Sequence, residues 1–220
     1  MLSIQTEREV EEVFHSSSTA VGIDLGVVNF ATLSDGVVIA PKNSFKSLSE
    51  KLAKAQRRLK TKVKFSNNWK KQKRRIQQVH TKIAHVRKDF LHQTSNTISK
   101  NHAMIVMEDL KICNMSKSAR GTIDKPGRNI SQKSGLNRSI LDQGWGEFPR
   151  QLEYKQEWRG GRVVYVDPKY TSQTCPECGH QAKENRLSQA EFCCKECFFE
   201  GNADRVAAQN ILNRGLGFLN

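Results

Sequence analysis

Residues 175–212 read CPECGHQAKENRLSQAEFCCKECFFEGNADRVAAQNIL. Two Cys-x-x-Cys knuckles, Cys175/Cys178 and Cys194/Cys197, stand with fifteen residues between the inner cysteines. That is the spacing of a metal ribbon, in which each two-residue gap lets both sulfurs of a knuckle turn onto one ion. Four thiolates close a tetrahedral site of the structural kind, and Zn²⁺ is the expected ion. The intervening segment has too few large apolar residues to hold a hairpin shut, so the metal stands in for the missing core. Cys194 rather than Cys193 keeps the two-residue gap to Cys197, which leaves Cys193 and Cys113 outside the site. Past the second knuckle, Asp204 opens a helical pattern through Val206, Ala207, Asn210 and Ile211, so a carboxylate is expected at a helix start beside the ribbon.

The chain has 220 residues, a formal net charge of +14 and a pI near 9.7. It can bury one good-sized core with a small satellite module. A surface this basic seeks polyanions, and nucleic acid is the first partner to consider. An anionic membrane surface is the rival, but no apolar run approaches the length of a spanning helix and no signal peptide is visible. Six cysteines, four of them in knuckles, suit a reducing, cytoplasmic setting.

Working outward toward the N-terminus, Arg162–Val166 (RVVYV) reads as a buried strand. Trp145–Trp158 has helical spacing, ended by Gly160-Gly161. Residues 114–140, rich in Ser, Gly, Asn and Lys, read as a flexible loop. Ala103–Leu110 (AMIVMEDL) is an apolar run ending in two acids, as expected of a buried parallel strand with carboxylates at its C-terminal end. Strand alternation leaves open whether Glu108 or Asp109 is the functional one. Between Lys42 and Lys88 there are seventeen Lys/Arg against one acid, Glu50. Apolar residues there fall at three- and four-residue steps, in two segments broken near Lys64–Asn68. This predicts a basic helical hairpin over 46–101, with one face packed and the other cationic. Arg57, Arg58, Lys70, Lys71, Lys73, Arg74 and Arg75 are its candidate nucleic-acid contacts. Aromatics are sparse (Phe65, Trp69), which favours phosphate contact over base stacking.

The opening residues predict antiparallel strands: Val21–Leu25, Val27–Leu33, a turn at Ser34-Asp35-Gly36, then Val37–Ile39. EVEEVF (9–14) could end a further strand. Asp24 interrupts the first apolar run and needs a partner there, because an isolated buried carboxylate is costly. If the segments of Asp24, Glu108 and Asp204 converge, three carboxylates share one site, and that is tolerable only with divalent cations between them. Oxygen ligands suit Mg²⁺ or Mn²⁺, and a two-ion site of that kind cuts phosphodiesters. The bland alternative makes Asp24 a turn acid, Glu108 a rim acid and Asp204 a helix cap. The sequence has no P-loop, G-x-S-x-G or H-E-x-x-H.

VGIDLGV (21–27), IVMEDLKICNM (105–115), GWGEFPRQLEYK (144–155), YTSQTCPECGH (170–180) and ADRVAAQNIL (203–212) together resemble the TnpB (OrfB) proteins of insertion sequences. These are relatives of the compact type V CRISPR effectors. The resemblance covers roughly residues 20–215 with its motifs in order. It implies an α/β fold of the RNase H-like (RuvC-type) class: a mixed sheet with helices, a basic helical hairpin insertion and an inserted zinc ribbon. The implied division is an N-terminal remnant (1–20), a nuclease domain (21–170), the ribbon (171–200) and a final helix (201–220). The implied activity is metal-dependent DNA endonuclease cleavage, directed by a guide RNA in complete members. The family's catalytic acids fall on Asp24, Glu108 and Asp204, which selects Glu108 over Asp109. Two positions depart from the pattern. Val206 stands where Asn is usual, and Phe198 where Gly is usual. Complete members also carry a long N-terminal half that binds the guide and reads the motif beside the target. A chain beginning this close to the catalytic segment is expected to be a truncated copy, an internal-start product or half of a split protein. The competing reading is a non-catalytic, zinc-stabilised remnant that binds nucleic acid without cutting it.

Overall fold

In a computed structural model of the chain, residues 13–218 are described. Five strands form one mixed sheet: β1 (Ala20–Leu25), β2 (Ala31–Leu33), β3 (Val38–Ile39), β4 (Met104–Glu108) and β5 (Arg162–Val166), in the order β3-β2-β1-β4-β5. The first three are antiparallel neighbours, while β4 runs parallel to both β1 and β5. The predicted strand at 27–33 shortens to Ala31–Leu33, because Gly26 to Phe30 make a loop that turns the chain back. Val13 and Phe14 carry no strand, and the rest of EVEEVF lies outside the described residues.

Strand alternation sorts the sheet's two faces. Val21 and Ile23 of β1 join Ile105 and Met107 of β4 on one face. They pack there with Phe30 and Trp145, with Leu91 and Ile98 of the long helix α2 (Asn67–Asn101), and with Phe148 and Leu152 of α5 (Phe148–Glu157). On the opposite face, Met104, Val106 and Val166 pack with Ile211 and Leu212 of α6 (Ala203–Gly215). Gly22 also faces α6. A Cβ there would meet the Ala208 carbonyl oxygen at 2.2 Å and the Leu212 nitrogen at 2.7 Å. The missing side chain is what lets α6 lie this close to the strand that carries Asp24.

Helix α1 (Ser44–Lys60) pairs with the first half of α2 as the predicted hairpin, and its own small core is Leu52, Val79 and Ile83 with Phe45, Leu48 and Ile76 around it. The loop expected at 114–140 is in part helical, with α3 (Ile112–Met115) and α4 (Ile130–Gln143). The stabilising contact is non-local: Asp142 near the end of α4 accepts from the Ser44 hydroxyl and from the Phe45 and Lys46 amides, capping α1. Asn43, the local cap position of α1, has left-handed backbone and gives no side-chain bond. Two short strands, β6 (Glu191–Cys193) and β7 (Glu200–Asn202), form a hairpin within the knuckle region. Among the described residues no helix is long and apolar enough to cross a membrane.

Candidate metal and carboxylate centres

The four knuckle cysteines close on one another. Cys175 and Cys197 sulfurs are 3.6 Å apart, Cys178 and Cys194 sulfurs 3.5 Å, and all four lie within 4.8 Å. Sulfurs about 2.3 Å from a central ion at tetrahedral angles stand roughly 3.8 Å apart, so this set fits a metal ion. The thiols titrate together. Burial pushes Cys194 up, but the Cys197 and Glu196 amides aimed at its sulfur bring it down to about 6. The Phe199 backbone holds Cys197 down, but burial and hydrogen bonds to its neighbouring thiols push it up to about 12, and burial raises Cys175. The fit to a metal therefore rests on the sulfur geometry. Cys193 is half-buried with its thiol near the Cys194 carbonyl, and Cys113 is exposed; neither joins the set. Phe192, Ala203 and Val206 pack against Cys175 and Cys194, so Val206 belongs to the seam joining this module to α6.

The two knuckles share a turn. The Gly179 amide bonds the Cys175 carbonyl, and the Phe198 amide bonds the Cys194 carbonyl, with φ +74° and +59° at the two residues. That left-handed conformation suits glycine, and Phe198 holds it with its ring 76% exposed.

The acids gather where the strand ends meet the start of α6. The β1/β4 register pairs Ile23 with Met107, so one residue on, Asp24, next to last in β1, stands beside Glu108, the last residue of β4. Asp24 follows Gly22, and Glu108 follows Val106, on the face covered by α6. Asp204 sits in the first turn of that helix, one turn before Ala208. The capping role is taken by Asn202, whose side chain accepts from the Asp204 and Arg205 amides at 3.1 Å each, which leaves the Asp204 carboxylate free of it. Asp109 lies beyond the strand end, exposed and paired with Lys111.

The electrostatics register the convergence. Burial, then the Glu108 and Asp204 carboxylates, push Asp24 up to about 7, while Arg186 pulls it partly back. Burial also raises Glu108, opposed by the Thr171 hydroxyl that donates to it and by Arg214. Arg186 reaches in from the cysteine module to 3.6 Å from Asp204, its guanidinium braced on the Ser188 and Gln189 carbonyls. Thr171 is itself held to α6, where Asn210 donates to its carbonyl at 2.8 Å. Arg186 does not stand out in the sequence, being a lone residue in a loop; Thr171 lies within the YTSQTCPECGH stretch, but nothing in its spacing marks it as the partner of Glu108. Among the described residues only the four cysteines bring three or more ligand atoms mutually within 4.8 Å, so the three acids are spaced more widely. Beside Glu108 a groove of about 390 Å³ opens between Leu25, Asp109, Trp145 and Tyr165.

Arg57, Arg58, Lys70, Lys71, Lys73, Arg74 and Arg75 are all exposed on the hairpin, and none takes part in an ion pair among the described residues.

Fold and site define a class: a mixed α/β domain with carboxylates gathered at its sheet end beside a four-cysteine module. The model of the OrfB family of the IS605 type, described as "Probable transposase", matches residues 3–119, and the Cas12f1-like TNB domain matches 145–211. The chain belongs to this TnpB (OrfB) family. It is 61% identical over 214 residues to the Escherichia coli K12 protein described as "Putative RNA-guided DNA endonuclease InsQ", covering 97% of this chain and 53% of that protein. A Streptomyces pristinaespiralis protein described as "Putative RNA-guided DNA endonuclease" is 34% identical, covering 91% and 46%. The chain thus spans about half the length of these curated relatives. A solved Cas12f1–sgRNA–target DNA complex shares the fold, with a TM-score of 0.58 at 22% identity over 88% of this chain and 49% of that one.

Proposed function

We propose that the chain is the catalytic part of a metal-dependent DNA endonuclease of the RuvC type, associated with transposable elements and directed by a guide RNA. The observation that carries the reading is geometric: Asp24 and Glu108 stand on neighbouring parallel strands, on the face covered by the helix whose first turn holds Asp204, and the two other carboxylates add to the burial that raises Asp24. Three acids so placed, with Arg186 alongside, are a site short of positive charge. On this reading the sheet is RNase H-like, 21–170 with α6 forms the nuclease domain, 46–101 is its basic insertion and 171–200 its zinc ribbon. Cys175, Cys178, Cys194 and Cys197 would hold Zn²⁺, and Asp24, Glu108 and Asp204 would hold Mg²⁺ or Mn²⁺.

Asp24, Glu108 and Asp204 would together hold the divalent ions, as carboxylate oxygens suit Mg²⁺ or Mn²⁺. Such ions, when bound, supply an activated water and charge stabilisation at the leaving oxygen. The protein's own residues do the rest. Asp24 is held rigid by its place in β1, between β2 and β4. Thr171 fixes the Glu108 carboxyl by its hydroxyl. Asn202 frees Asp204 by capping α6 in its stead. Arg186, in reach of Asp204, is placed to pair with a phosphate entering the same space. The seven exposed hairpin cations hold the nucleic-acid backbone away from the cutting point.

Relatives described as RNA-guided DNA endonucleases support DNA as the target and RNA as the guide. The test is cleavage of labelled DNA with Mg²⁺ or Mn²⁺, with and without co-purified RNA. Cutting that leaves 5′-phosphates and vanishes in Asp24→Ala, with DNA binding near wild type, supports the proposal. Binding without cutting under every metal and RNA condition would instead make the chain a nucleic-acid-binding remnant.

A further inference from the structure

The tip of the basic hairpin carries a feature that phosphate binding does not use. Between α1 and α2 the chain makes a turn closed by the Ser66 amide on the Val63 carbonyl, at 3.2 Å. Phe65 occupies the third position of that turn with φ +68°. Glycine or asparagine meets that requirement without strain, whereas a bulky aromatic does not. The strained residue is also 66% exposed, and its near neighbour Val63 79%. Trp69, in the first turn of α2, lies 5.4 Å from the Phe65 ring, centroid to centroid. Lys64 stands 5.3 Å from the Phe65 centroid and Lys73 5.4 Å from that of Trp69. Roughly 33 Å of helix separates Trp69 from Leu91, where α2 meets the sheet. The apolar tip is therefore at the far end of the arm from the sheet, and Val63, Phe65 and Trp69 belong to none of the core clusters, the hairpin's own included.

Isolated exposed apolar residues need no explanation. Here two rings, Trp69 half-buried and Phe65 exposed, and a valine stand at one end of an arm, one of them at a conformational cost, and the arm's exposed charged groups are almost all cations. The charge selects the occupant. A polyanion drawn to Lys62, Lys64, Lys70, Lys71 and Lys73 presents, between its phosphates, one class of flat apolar surface: the faces of its bases. We propose that Val63, Phe65 and Trp69 form a wedge that stacks on nucleobases while the surrounding lysines hold the flanking phosphates. This rests on the nucleic-acid reading of the hairpin and adds base contact to it.

The experiment uses the full chain with 2-aminopurine placed at successive positions in a single-stranded oligonucleotide and in a duplex. The variants are Phe65→Gly and Phe65→Asn, which suit the left-handed turn better than phenylalanine, and Phe65→Tyr, which keeps a ring. The wild type and Phe65→Tyr should change the probe's fluorescence at one or two adjacent positions. Phe65→Gly and Phe65→Asn should lose that change and bind roughly 5- to 150-fold more weakly, with helix content and the salt dependence of affinity unchanged. A response confined to the single strand places the wedge on unpaired bases, and one shared by the duplex places it between paired steps. Wild-type affinity in Phe65→Gly, or a weakened affinity with a flatter salt slope and no probe response in the wild type, overturns the wedge. The nuclease proposal is untouched by either result, because it stands on Asp24, and absence of any salt-dependent binding would instead remove the nucleic-acid reading of the whole hairpin.

Discussion

Asp24→Asn should make the fold more stable while removing its proposed activity. With no divalent ion at the acids, the folded chain holds the Asp24 proton up to about pH 7, whereas the unfolded chain releases it near 3.8. Between those values the unfolded state binds fewer protons than the folded state, so stability falls as pH rises. The full interval multiplied by about 1.36 kcal/mol per unit gives a loss of at most about 4 kcal/mol, complete by pH 8. Asparagine keeps the shape and cannot ionise, so it avoids that loss. At pH 5 only the first part of the interval has been crossed, and the difference shrinks to roughly 1–2 kcal/mol. Urea unfolding of both proteins, in Mg²⁺-free buffer that leaves zinc in place, measures the gap at the two pH values. Adding Mg²⁺ at pH 8 should stabilise the wild type and leave Asp24→Asn unchanged, since only the wild type has the ligand. A wild type as stable as the variant at pH 8, with no response to Mg²⁺, would refute both the burial and the crowding of this carboxylate.

Two further outcomes follow from the module and the arm. Protein purified without chelator should contain one zinc. Cys194→Ser should lose it and Cys193→Ser should retain it, and because structural zinc contributes of order 10 kcal/mol in comparable peptides, metal removal should unfold the module. Replacing Arg57, Arg58, Arg74 and Arg75 with glutamine should weaken DNA binding and flatten its log–log salt slope by up to about 3.6, four phosphate contacts at about 0.9 each; an unchanged slope would assign those arginines another role.

Much of this was legible in the residues because the signals are local. Apolar runs marked β1, β4 and β5, three- and four-residue steps marked the hairpin, and two-residue gaps marked the four sulfurs that cluster. The acids could be singled out because they stand in a strand interior, at a strand end and at a helix start, and the register of Ile23 with Met107 places two of them on neighbouring strands. What escaped depends on contacts distant in sequence. Residues 130–143 carry weak helix formers, and Asp142 of α4 caps α1 across 97 residues of chain. Asn202, not Asp204, caps α6, a distinction of two positions that composition does not make. Arg186 reaches Asp204 only because the cysteine module folds back over the start of α6. Gly22 reads as an ordinary strand glycine until the Ala208 carbonyl is found where its Cβ would stand.

The central claim is that Asp24, Glu108 and Asp204 together hold divalent ions. Mn²⁺ binding followed by electron paramagnetic resonance measures this directly, because two ions about 3.5–4 Å apart couple their spins. A coupled pair is expected in the wild type, and its loss in Asp24→Ala, which removes one of the three carboxylates proposed to hold the ions. A coupled pair that survives Asp24→Ala, or a wild type that binds no Mn²⁺ at these acids, would contradict it.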